Sequence, residues 1–163
     1  MITFPVKLYG ENRSKKLIFV DFTADSNYFK DLKKCIKQGL HQFIISSEIM
    51  IKILSKYTAK DNIKLVSIDF YMADDELEKN ISSLITKINN NSIAPQHLLD
   101  ELTFISDNES IDIEKIELQH TVEPYYRLQI YMNGNTFIEI SKKQSPNLIT
   151  TIKNELLDCI IRE

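Results

Sequence analysis

Apolar and polar positions change period several times along this chain, and each change marks an element. "ITFPVKLY" and "KKLIFVDFT" alternate on either side of the polar turn segment "GENRS", which predicts an N-terminal hairpin. Pro5 places the first strand at an edge, because proline has no N–H to give a neighbour. The second strand carries Leu17 and Phe19 on one phase and Ile18, Val20 and Phe22 on the other, the pattern of a central strand. From Phe29 the steps lengthen to three and four residues through Leu32, Ile36, Leu40, Phe43, Ser47, Met50, Leu54 and Tyr57, with Ser47 the single polar member. That spacing predicts a long first helix, kinked or divided at Gly39, where lysines precede the glycine and Leu40 follows it. The Ile-rich "FIISSEIMIKIL" within it also fits a strand.

"IKLVSIDFYM" returns to period two, with Val66, Ile68, Phe70 and Met72 on one face. A strand, a crossover helix and a strand imply parallel pairing if the two strands are neighbours. "DDELEKNISSLITKINNN" gathers Leu77, Ile81, Leu84, Ile85 and Ile88 into a helical stripe that opens with acids, and "APQHLLDEL" reads as a short helix with Pro95 in its first turn. In "SIDIEKIELQHTVE" the apolar phase switches between Ile113 and Ile116, predicting a bulge at Glu114 or Lys115. "PYYRLQIYM" and "TFIEISK" form a hairpin around Asn133, Gly134 and Asn135. A three-residue loop with Asn135 left-handed keeps the faces unmixed, pairing Leu128 with Ile140, Ile130 with Ile138 and Tyr131 with Phe137. "SPNLITTIKNELLDCIIRE" closes the chain as a helix capped by Ser145, with Pro146 at its first position.

These elements describe a single α+β domain over residues 1–163. Its mixed sheet of about six strands comprises the N-terminal hairpin, one crossover strand and a C-terminal three-strand meander. Four to five helices pack on it, including the long or kinked first helix and the C-terminal helix.

Charge changes this picture more than composition does. Residues 1–64 hold 12 Lys and Arg against six Asp and Glu, a charge of +6, whereas residues 65–163 hold eight against 17, a charge of −9. No linker separates the halves, so the expectation is one domain with a polarised surface. Lysine supplies 17 of the 20 basic residues, and scarce arginine disfavours nucleic acid, since arginine is the better bidentate reader of guanine and phosphate. No apolar run reaches the roughly 18 residues of a membrane span. The N-terminus lacks the basic start and continuous apolar run of a signal peptide, so the expected location is the cytoplasm, with no membrane partner. Cys35 and Cys159 lie far apart in apolar patterns and read as buried hydrophobes.

Three glycines in the whole chain leave no P-loop and no dinucleotide fingerprint, both of which need several glycines for close backbone approach to phosphate. There is no HExxH, no GxSxG and no zinc spacing, so no cofactor and no metal are expected. Two catalytic ideas survive. Asp21 in "FVDFTADS" and Asp69 in "SIDFYMADD" would make a carboxylate pair for a metal-dependent hydrolase or nuclease if their strands were adjacent, and His120 would serve as a general base if it were free. The simpler readings are a twice-made strand-to-helix exit and a histidine with a structural hydrogen bond.

Surface signals lead elsewhere. Asp107, Glu109, Asp112, Glu114, Glu117 and Glu123 form an acidic stretch offset only by Lys115, which either guards a sheet edge or meets a basic protein. Beside it the hairpin presents Tyr125, Arg127, Tyr131, Phe137 and Glu139, and Tyr and Arg are residue types that anchor interfaces. The lysines Lys30, Lys33, Lys34 and Lys37 occupy one side of a helix. The expected function is therefore a non-enzymatic protein-binding module of inhibitor, immunity or adaptor type. It would dock through Glu114, Glu117, Tyr125, Arg127, Tyr131, Phe137 and Glu139. A structural subunit of a homo-oligomer or larger assembly is the alternative, and the hydrolase using Asp21 and Asp69 the second.

Overall fold

A computed structural model describes residues 1–25, 27–72 and 74–161. In chain order its elements are β1 (Ile2–Glu11), β2 (Leu17–Asp21), α1 (Tyr28–Lys37), β3 (Leu40–Gln42), α2 (Ser47–Thr58), β4 (Ile63–Phe70), α3 (Asp75–Asn89), α4 (Gln96–Phe104), a π-helical turn (Ile105–Glu109), β5 (Ile113–His120), β6 (Tyr126–Tyr131), β7 (Asn135–Ile140) and α5 (Asn147–Ile161). The α+β domain is built on one seven-stranded sheet in the order β2-β1-β7-β6-β5-β4, with β3 paired to β1 beyond the end of β7. Every strand pair among the described residues is antiparallel, so the sheet is not mixed. The parallel pairing expected of β2 and β4 fails because they occupy opposite edges.

The long helical pattern divides at Gly39. Its φ of +86° is a conformation that glycine adopts without a Cβ penalty, and it ends α1 as a left-handed residue beyond the Gln38 cap. The chain then pairs Leu40–Gln42 with β1 before Ser46 caps α2, its Oγ accepting from Ile49 N at 3.3 Å. In α3, Asp74 caps in the same way and Ile81, Ile85 and Ile88 are buried. Ser145 caps α5 through its Oγ, which accepts from Asn147 N at 3.3 Å.

Two strands sit differently from expectation. β1 is interior, yet Pro5 has a local edge: its carbonyl accepts from Phe22 N at 3.2 Å, just past Asp21, the last residue of β2. The absent N–H points to that same side, where no strand residue needs it. β2 is the edge strand rather than a central one, and its two apolar phases are half-buried because helices lie on both faces at this end of the sheet.

The expected bulge lies at Glu114, which is skipped between the pairs Asp69–Lys115 and Phe70–Ile113. A second bulge at Val66 compensates, so Leu65 rather than Val66 enters the core, and Met72 is exposed. The β6–β7 loop is indeed three residues, displaced by one: Met132, Asn133 and Gly134, with Leu128 opposite Ile138 and Ile130 opposite Thr136. Gly134, not Asn135, is left-handed at φ +90°, the conformation glycine takes at least cost.

One continuous core fills the face toward α2, α3, α4 and α5. Leu54, Ile53, Leu98, Ile152 and Leu156 from those helices meet Leu8, Ile116, Leu128, Ile130 and Ile138 from the sheet. Tyr57 is buried there, its hydroxyl unpaired among the described residues. Burial pushes its pKa well up, and the charge of Glu155 adds to the shift, but the Glu155 carboxylate lies outside hydrogen-bonding geometry and is turned to Lys60 at 3.4 Å. An unsatisfied buried hydroxyl is a stability cost, so Tyr57→Phe is expected to raise the unfolding free energy by about 1 kcal/mol in a urea titration. A loss of stability would mean that Glu155 leaves Lys60 to accept from the hydroxyl.

Candidate functional site: the open sheet face

The other face of the sheet is treated unequally along its width. At the β2–β1 end α1 covers it, burying Tyr9, Phe22 and Cys35 in a cluster separate from the main core. Lys7 is fully buried here beside α1. Its Nζ donates to Asn133 O at 2.5 Å and Asn135 Oδ1 at 3.1 Å, and lies 5.9 Å from the Tyr28 ring centroid. Across β7, β6, β5 and β4 this outer face has no helix packed on it among the described residues.

Strand register sorts the open part into rows. One row runs Glu139, Arg127, Gln119 and Lys64, and the next Phe137, Gln129, Glu117 and Ser67. Beyond them Tyr131 stands opposite Lys115, which stands opposite Asp69. These side chains hold one another in place. Gln129 Nε2 donates to Glu117 Oε1 at 2.9 Å, Ser67 Oγ donates to Glu117 Oε2 at 3.5 Å, and Arg127 Nε lies 4.0 Å from Glu117 Oε1. Lys115 pairs with Asp69 at 3.3 Å and sits 5.7 Å from the Tyr131 ring centroid. Burial alone would lower the Lys115 pKa, but the hydrogen bond and charge of Asp69 outweigh it and hold the pKa above its ordinary value.

An aromatic strip crosses these rows. Tyr131 meets Phe137 edge-on at 5.7 Å, Phe137 meets Phe22 at 5.9 Å, Phe22 meets Tyr28 at 5.3 Å, and Tyr28 meets Phe29 at 5.3 Å. Phe29, on α1, is 69% exposed. The one-residue displacement of the hairpin loop puts Phe137 opposite Gln129, so Tyr131 and Phe137 touch diagonally rather than as direct partners.

Of the residues expected to dock a partner, Arg127, Tyr131, Phe137 and Glu139 share this face, and Glu114 is exposed at its corner. Glu117 is on the face but only 9% exposed, the hub of the polar network rather than a free acid. Tyr125 is exposed in the β5–β6 turn, off the rows. Phe22, Tyr28 and Lys7 join the site unannounced by the sequence, because their neighbours come from chain segments more than 100 residues away.

The catalytic candidates do not converge. Asp21 ends β2 and Asp69 lies on β4; five strand spacings, about 24 Å, separate the edges, so the two carboxylates form no common site. His120 Nδ1 contacts Val122 O and Pro124 O, both at 2.9 Å, and its ring stacks on Tyr126 at 4.9 Å, which is the structural hydrogen bonding of a turn. Among the described residues no three His, Cys, Asp or Glu side chains are grouped to hold a metal ion, and no helix is long and apolar enough to cross a membrane. Comparison of the chain with protein-family models, with curated proteins and with solved structures finds no match in any of the three.

Proposed function

We propose that this chain is a non-enzymatic protein-binding module, of inhibitor, immunity or adaptor type, whose docking surface is the outer face of β4 to β7. One observation carries the reading: among the described residues four adjacent strands lack a covering helix, although α1 covers the neighbouring part of the same face. An antiparallel sheet tolerates water on one face, and a purely solvated face would need only scattered polar residues. This face instead combines a strip of aromatic rings with an interlocked set of charges, which lowers the conformational cost of binding. Tyr131, Phe137 and Arg127 are anchors of the kind that dominate interface energetics, while Asp69, Glu114 and Glu139 supply the acidic rim that suits a basic partner surface.

The test is affinity capture from cells of the source organism. Tyr131→Ala and Glu114→Lys should each reduce recovery of the partner at least tenfold, while the melting temperature falls by no more than about 4 °C, because neither side chain is in the core. Recovery equal to that of the wild type for both variants would remove the proposal.

A further inference from the structure

The exposed side of α1 is the second unaccounted surface. At 100° per residue, Lys30, Lys33 and Lys37 form its outward crest and Phe29 and Ile36, seven residues apart, lie together on one flank. Phe29 is 69% and Ile36 50% exposed. None of Lys30, Lys33, Lys34 and Lys37 forms an ion pair among the described residues, and they line a groove of about 550 Å³ with Thr23, Asn27 and Asp31.

We propose that the open sheet face docks a second copy of this chain, two protomers meeting face to face about a twofold axis so that α1 of each lies on the open half of the other's sheet. The inference rests on the docking role of that face and names its partner. Dimensions agree: ten helical residues span about 15 Å, and the uncovered patch measures about 20 Å along the strands by about 15 Å across them. α1 already packs on half of this outer face through Tyr28 and Cys35, so the sheet accepts a helix there. Charge agrees too. The pairing sets the lysine crest of one protomer against the Asp69 and Glu114 corner of the other, and the twofold axis makes that contact twice. The Phe29 and Ile36 flank and the Tyr131–Phe137 pair supply apolar area to the same contact. A twofold arrangement closes on itself with two copies, whereas head-to-tail contact of the same charges would build a larger ring or an open filament.

Sedimentation equilibrium of the purified full chain tests this. A dimer is expected in 0.1 M salt, with at least tenfold weaker association in 0.5 M salt, because the screening length falls from about 10 Å as ionic strength rises and exposed charge contacts weaken with it. Lys33→Glu with Lys37→Glu should give monomers, as should Asp69→Lys with Glu114→Lys, and combining all four should restore the dimer. A monomer under every condition, or a dimer indifferent to both pairs, overturns the proposal. The docking role is separately readable: a monomer that still captures another protein in a Tyr131-dependent way keeps the docking face and rejects the second copy. A monomer whose capture is independent of Tyr131 rejects both.

Discussion

Gly134→Ala is expected to cost about 3 kcal/mol and to lower the melting temperature by about 10 °C. Two terms add. At φ +90° an L residue pays about 1–2 kcal/mol for its Cβ. That Cβ would also lie 2.9 Å from Phe43 O and 3.1 Å from Leu8 O, which are backbone atoms that cannot swing away. Both belong to the junction where the β6–β7 loop meets β1 and the segment entering α2: Leu8 N donates to Gly134 O at 3.0 Å and Phe43 N to Leu8 O at 3.3 Å. Gly39 provides the control. Its φ is +86°, but a Cβ there meets nothing within 4 Å, so Gly39→Ala should cost only about 1 kcal/mol. Equal losses at the two glycines would show that the close approach at Gly134 relaxes freely.

Glu117→Lys is expected to cost a further large amount, about 3 kcal/mol in a urea titration, although Glu117 lies on the solvent side of the sheet. Glu117 is 9% exposed, and its carboxylate accepts from Gln129 and Ser67 while facing Arg127. An ammonium in its place would orphan those donors and stand between Arg127 and Lys115. Glu114→Lys, at the exposed bulge, should change stability by less than about 0.5 kcal/mol. The two acids, indistinguishable in the acidic stretch of the sequence, therefore separate into a structural residue and a docking probe. A small effect at Glu117 would place it with Glu114 as part of the acidic rim.

Local periodicity identified most elements because each follows from neighbours within the chain. The stripe of Ile81, Ile85 and Ile88, the phase switch at Glu114 and the polar segment after Gly10 all map onto observed features. Sheet order was hidden, since the pairing of β1 with β7 joins residues about 130 apart and leaves no local pattern. That pairing also explains the misplacement of β2 and the loss of the Asp21 and Asp69 pair. Strand alternation assigned Arg127, Tyr131, Phe137 and Glu139 to one face, so much of the candidate site was legible. Its continuation through Phe22 and Tyr28 to α1 was not, because the run Val6, Lys7, Leu8 and Tyr9 is buried on both faces and the lysine within it disguises a doubly covered strand.

The most direct test of the docking face compares capture by the wild type with capture by Tyr131→Ala and by Lys52→Glu, a substitution in the groove between α2 and α4 on the opposite, helical side. Loss of the partner at position 131 with full recovery at position 52 is the predicted result. Loss at position 52 with full recovery at position 131 would contradict the account and move the contact surface to the helices.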